Sequence, residues 1–237
     1  RDPGMIEAGE TKEGAPYFVM EIVDGVALDR WAQGDEDHAR PSFDRRMQVF
    51  EQLCRAVQHA HEKGVVHRDL KPSNVLVELG DRPKVLDFGL ARIIDPDTSV
   101  SLSAAVTGRV VGTVRYMSPE QARGLASRAT ATSDVYSLGV LLYELLTCRL
   151  PHDFAGTSLF EAARRVAEEP IALPSTVLAK GEARFASASD AITMQALAKE
   201  PGARYASALA LADDVRRALE GAPVSAVPPR TRARLED

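Results

Sequence analysis

The sequence predicts an α+β fold that is mainly helical, with a small strand pair at its amino end. Three patterns predict it. Residues Met5 to Glu10 and Tyr17 to Val23 read as two strands around a turn carrying Gly14 and Pro16. Phe43, Met47, Phe50, Cys54 and Val57 recur at spacings of four, three, four and three, a helical stripe. The longest apolar stretch, Val135 to Leu146, is interrupted by Tyr136, Ser137, Gly139 and Glu144, which marks a buried helix rather than the ~18 apolar residues of a membrane span.

Each element follows from local chemistry. Leu28 to Ala32 begins a short helix, and Gly34 to Arg40 forms a charged loop. Ser42 caps the next helix, which runs to about Lys63 and stops at Gly64. His59 and His61 on it are surface or packing residues rather than metal ligands, since no cysteine or carboxylate stands at ligand spacing. Val75-Leu76-Val77 and Lys84-Val85-Leu86 read as short strands. Residues 91–111 are rich in hydroxyls and read as a surface loop. Pro119 suits the first turn of a helix capped by Ser118. Asp134 opens the most hydrophobic helix, after which Cys148 stands where a left-handed glycine cap is expected. Ser158 to Glu169, Ser189 to Lys199 and Ser207 to Glu220 are three amphipathic helices. Gly221 ends the last, and Pro223, Pro228 and Pro229, followed by Arg230, Arg232 and Arg234, mark a linker.

The chemistry concentrates in the middle of the chain, in His67-Arg68-Asp69-Leu70-Lys71-Pro72-Ser73-Asn74 and in Asp87-Phe88-Gly89. Asp69 and Asn74 lie on a loop, because Pro72 between them prevents a regular strand. Strands on either side bring Asn74 and Asp87 to one edge. Two carboxylates, an amide oxygen and the Lys71 ammonium then meet there, as a magnesium–phosphate site requires. Taken singly, each is more commonly a polar turn residue.

These motifs, together with Gly112-Thr113 and Ser118-Pro119-Glu120, resemble the bacterial members of the eukaryotic-like (Hanks-type) serine/threonine protein kinases. The resemblance runs from Tyr17 to about Glu220 and implies a protein-kinase-like fold. Residues 1–23 would be a two-strand remnant of the amino-terminal lobe with its hinge, 24–220 the helical carboxy-terminal lobe, and 221–237 a Pro/Arg-rich linker. It implies ATP and Mg2+ as cofactors. Asp69 would orient the acceptor hydroxyl and take its proton, Lys71 would neutralise the transferring phosphoryl group, and Asn74 and Asp87 would hold the metal. Met20 would guard the back of the adenine pocket, the backbones of Glu21 and Val23 would bond the adenine edge, and Leu76 would form its floor. Ala27 stands where many relatives offer the ribose an acid.

The same resemblance makes residues 91–111 an activation segment. Arg68 would meet a phosphate arriving there, on Thr107 or on Ser103, and Thr113 would bond Asp69 and Lys71. His67 and Phe88 would pack together, Glu120 would pair with Arg204, and Asp134 would hold the catalytic loop by its backbone; these five residues are structural.

One departure stands out. The glycine-rich loop, the strand lysine and the helix glutamate of the family have no counterpart in Arg1 to Thr11, and Lys12 is no substitute. The sequence therefore reads as an amino-terminally truncated kinase or as a natural remnant. As it stands the chain is expected to be nearly inactive, because half of the phosphate clamp is missing. Its exposed strand pair is expected to favour association. The alternative is a pseudokinase or interaction module without catalysis. A small-molecule kinase is disfavoured by Ser118 to Gln121 and the hydroxyl-rich segment, which suit a peptide substrate.

The remaining inferences concern partners. A formal net charge of -5 argues against nucleic-acid binding. The two cysteines, Cys54 and Cys148, fit a reducing compartment. The reading is thus a cytoplasmic domain, free or attached to a membrane-anchored parent, with no span in this chain. It would act on serine or threonine of protein substrates, and self-phosphorylation is compatible with that activity.

Overall fold

The structure, a computed structural model, describes residues 5–11, 16–34, 39–86, 114–125, 129–177 and 186–227. Strand β1 (Met5–Glu10) pairs antiparallel with β2 (Pro16–Met20), Ala8 opposite Phe18. The second strand stops at Met20 rather than at the expected Val23. The next residues instead lead into a strand the sequence reading missed, β3 (Gly25–Ala27). β3 borders a second antiparallel sheet with β4 (Val75–Glu78) and β5 (Arg82–Val85), in the order β3-β4-β5. Ala27 lies opposite Leu76, and Val75 opposite Val85. Alternation along β4 buries Val75 and Val77 in the core and turns half-buried Leu76 to the other face.

The helices are α1 (Leu28–Gln33), α2 (Phe43–Glu62), α3 (Pro119–Ala122), α4 (Ala131–Thr147), α5 (Leu159–Glu168), α6 (Ala186–Ala196) and α7 (Ala208–Leu219). Several of their starts are set by serine caps, two of which, Ser42 and Ser118, were read from sequence. Ser42, Ser158 and Ser207 each accept a bond from the backbone N–H three residues on. Ser118 and Gln121 complete a capping box at α3.

α4 is the axis of the molecule. Val135, Leu138, Leu141, Leu142, Leu145 and Leu146 join α2, α7 and the three-stranded sheet in one core, while Tyr136, Val140 and Tyr143 join α5 in a second. A Cβ on Gly139 would stand 2.9 Å from the Ala196 Cβ, so glycine permits the close approach of α6.

α6 corrects the sequence reading twice. It starts at Ala186 and ends at Ala196, not Ser189 to Lys199, and its polar residues are not a solvated face. Ser189, Asp190 and Thr193 are buried, and Asp190 accepts from the Ser175 N–H at 2.8 Å and the Ser175 hydroxyl at 2.6 Å. The stretch assigned to a linker also begins packed. Asp214 accepts from Ser225 and from the Ala226 N–H at 2.9 Å, and Ala226 is buried.

Candidate active site

Residues 67–74 form an irregular loop between α2 and β4, closing in a single 3-10 turn at Pro72–Asn74. Asp134, fully buried in the first turn of α4, fastens it from behind. One carboxylate oxygen accepts the His67 N–H at 2.8 Å and the other accepts the Arg68 N–H at 2.8 Å. The Gln121 side-chain amide donates to the Arg68 carbonyl at 2.8 Å from the opposite side. Between these anchors Arg68 takes a φ of 69°, a left-handed conformation that an L residue adopts at a cost of roughly 1–3 kcal/mol. His67 is buried, with Nε2 2.9 Å from the Leu86 carbonyl and Nδ1 accepting the Asp69 N–H at 3.3 Å.

This backbone path gathers the polar side chains. Lys71 Nζ lies 2.6 Å from Asp69 Oδ2, and the Asn74 amide donates to the Asp69 carbonyl at 2.9 Å and more weakly to Oδ2 at 3.4 Å. The Asp69 side chain stays 38% exposed, so its carboxylate is both oriented and reachable. The Leu86 N–H donates to the Asn74 carbonyl at 2.8 Å, which sets the end of β5 beside the loop. Asp87 itself lies outside the described residues, as do Phe88, Ser103, Thr107 and Thr113.

The donor set at Asn74 fits a hard cation. Its NH2 is committed to Asp69, leaving Oδ1, 3.5 Å from the Ser73 hydroxyl, as an oxygen donor suited to magnesium. No group of three or more His, Cys, Asp or Glu able to hold a metal occurs among the described residues.

The other expected residues sit as follows. Glu21 is exposed and Val23 half-buried on the segment linking the two sheets, next to β3, with Met20 ending β2. Arg204 forms a two-pronged pair with Glu120, Nη1 to Oε1 at 2.8 Å and Nη2 to Oε2 at 2.7 Å, and both are buried. Tyr116, in the stretch leading into α3, donates to Glu144 at 2.8 Å, and its carbonyl accepts the Ser137 hydroxyl at 2.7 Å. Burial, and then the neighbouring Glu144 carboxylate, raise the Tyr116 pKa; burial also raises that of Glu144, against the hydrogen bond from Tyr116, which lowers it.

Two contributors escaped the sequence reading. His61 is not merely a packing residue: its Nε2 lies 2.7 Å from Asp134 Oδ2, in the same carboxylate that holds the loop. Gln121 was read as part of the Ser118 to Gln121 motif, without its bond to the Arg68 carbonyl. The signal for it was its place in a capping box, whose spare amide N–H must find an acceptor.

The fold and this loop are those of a protein kinase domain. The protein kinase domain family model matches residues 5–215, and the chain belongs to that family. Among curated proteins it is similar to bacterial serine/threonine-protein kinases. It is 41% identical over 227 residues to the serine/threonine-protein kinase PknB of Mycobacterium tuberculosis, covering 94% of this chain and 34% of that protein. The PknB of Mycolicibacterium smegmatis is 40% identical over 215 residues, 90% of this chain and 32% of the relative. A probable serine/threonine-protein kinase of Streptomyces coelicolor is 39% identical over 212 residues, 89% of this chain and 29% of the relative. The chain thus spans about a third of the length of these relatives. Among the described residues no helix is long and apolar enough to cross a membrane.

Proposed function

We propose that the protein carrying this chain transfers the γ-phosphoryl group of ATP, with Mg2+, to serine or threonine hydroxyls of protein substrates. One observation carries the reading: Asp69, Lys71 and Asn74 are tied into a single half-buried network on a loop held by Asp134. Asp69 orients the acceptor hydroxyl and receives its proton. Lys71, whose Nζ lies 2.6 Å from Asp69 Oδ2, would neutralise negative charge on the transferring group. Asn74 Oδ1, with Asp87, would hold the metal, and Leu76 would underlie the adenine with the backbone of Glu21 and Val23 at its edge. The bound nucleotide and metal supply the phosphoryl group and neutralise its charge. Arg68 would receive a phosphate on the hydroxyl-rich segment, with Thr107 ahead of Ser103 as acceptor; self-phosphorylation there is part of the proposal.

The experiment is transfer of labelled phosphate from ATP to a serine/threonine peptide mixture, with the 237-residue chain and with the same chain extended by its upstream coding sequence. The extended protein should transfer and the shorter chain barely do so. Asp69→Asn should lower the rate by roughly 10² to 10⁴. Transfer by Asp69→Asn at the unaltered rate would overturn the reading.

A further inference from the structure

We propose that His61 is a positioning residue for the Asp69 loop: with His67 it clasps one oxygen of Asp134 and so fixes the path by which the chain leaves α2 and presents Asp69. Its bearing on phosphotransfer rests on the role given to Asp69 above. The clasp itself is geometric. His61 Nε2 lies 2.7 Å from Asp134 Oδ2, and the His67 N–H donates to that same oxygen at 2.8 Å. Two residues six apart in sequence meet on one atom, which closes residues 62–66 into a ring.

The ring is stiff. The Val65 N–H donates to the Ala60 carbonyl at 3.0 Å and the Gly64 N–H to the His61 carbonyl at 2.9 Å, the two bonds of a Schellman turn, with Gly64 at a φ of 75°. Past the ring, Arg68 is held at both ends. Its N–H donates to Asp134 Oδ1 at 2.8 Å, and its carbonyl accepts from Gln121 at 2.8 Å. The direction of the Asp134 carboxylate thus sets the left-handed turn at Arg68, and Asp69 is the next residue. His61 adds a side-chain bond to that carboxylate and brings it from a separate element, α2.

The chemistry of the imidazole argues for this role over simple packing. Both Asp134 oxygens already accept backbone N–H groups, so the carboxylate offers lone pairs and Nε2 brings the proton. Nδ1 is then left buried, without a hydrogen-bond partner among the described residues, on a side chain that is 6% exposed. A buried polar atom in that condition is unfavourable. Leucine would fill the space and leave no such atom, but it could not donate to Asp134. The Nε2–H bond is therefore what histidine supplies here.

NMR of the imidazoles in the 237-residue chain, with amide exchange in His61→Leu and His61→Gln, tests the proposal. A glutamine carboxamide can carry an N–H to the place of Nε2–H, and leucine cannot. The His61 imidazole should be protonated at Nε2; a bare Nε2 would overturn the proposal whether or not the variants fold. In His61→Leu, checked for folding by circular dichroism, the His67 and Arg68 amides should exchange roughly tenfold faster while those in the middle of α4 keep their rates. His61→Gln should restore the slow exchange. Unchanged exchange in the folded leucine variant, or equal loosening in both variants, would overturn it. In the protein extended by its upstream coding sequence, His61→Leu should lower kcat roughly tenfold or more with the peptide KM unchanged, and His61→Gln should recover most of the loss. A change in KM alone would count against positioning. If the unsubstituted extended protein transfers no phosphate, the kinase reading fails, and the imidazole and exchange results still decide the place of His61.

Discussion

Single side chains set how this fold answers to acid. Burial acts to raise the Glu120 pKa, but hydrogen bonds from Arg204 and Ser133 outweigh it and hold the group at about 2. A carboxylate depressed in the folded state contributes stability that is complete above its ordinary value of 4.5 and is lost as pH falls toward about 2. Glu120→Gln leaves Arg204 buried without a counter-charge and should cost about 3–5 kcal/mol in urea unfolding at neutral pH. The gap from wild type should close in strong acid; a constant gap would mean the pair's charge is not what stabilises.

His152 works at higher pH. Burial first, then Lys199 and Arg165, lower its pKa to about 4, with Glu169 Oε2 facing Nδ1 at 3.9 Å. The folded state resists a proton that the unfolded chain accepts near 6.5, so stability is full above 6.5 and falls between there and about 4. His152→Phe, which keeps the edge contact to Phe154, should flatten melting temperature against pH across that window. Parallel profiles for the two proteins would exclude His152 as the source.

At the scale of elements, the helix ends marked by a serine cap or a stopping glycine are where sequence and structure agree best, because caps are local; α6, which has neither signal, was misplaced at both ends. Ser42, Ser118 and Ser207 occupy the positions their chemistry requires, and Gly64 and Gly221 take the positive φ of 75° and 69° that stops a helix. The exception is informative. Cys148 ends α4 at φ 56°, donating its N–H to the Glu144 carbonyl at 2.8 Å, although it carries a Cβ that this conformation disfavours. Cys148→Gly should therefore stabilise the protein by roughly 1 kcal/mol in urea unfolding, with the loop otherwise unchanged. Destabilisation would show that the thiol makes a contact worth more than the strain. What sequence reasoning missed is non-local. β3 is three residues long and exists through its pairing with β4, so no periodicity announces it. His61 meets a carboxylate 73 residues away, and the buried polar face of α6 reads as solvated until Ser175 is seen beside Asp190. The loop of Asp69, Lys71 and Asn74 was legible because its spacing is itself the motif, and Asp134 because the family resemblance assigns its partner.

For the molecule as a whole, the two sheets differ in how they are held. β3, β4 and β5 pack on α1 and α2 and contribute Val75, Val77 and Val85 to the main core. β1 and β2 hydrogen-bond to each other and not to that sheet, and among the described residues neither is in extensive contact with any other element. Their cross-strand support includes Tyr17 donating to Glu7 at 2.9 Å, an exposed bond. A two-stranded hairpin of this kind is marginal in water, whereas opening α4 exposes the centre of both cores. Hydrogen exchange of the 237-residue chain should therefore show β1 and β2 amides exchanging roughly 100-fold faster or more than those of α4. The loop amides of His67 and Arg68, bonded to buried Asp134, should follow α4 rather than the hairpin. Slow exchange in β1 and β2 would mean that the strand pair is covered in solution, by self-association or by docking, and that its unpaired edge is not free.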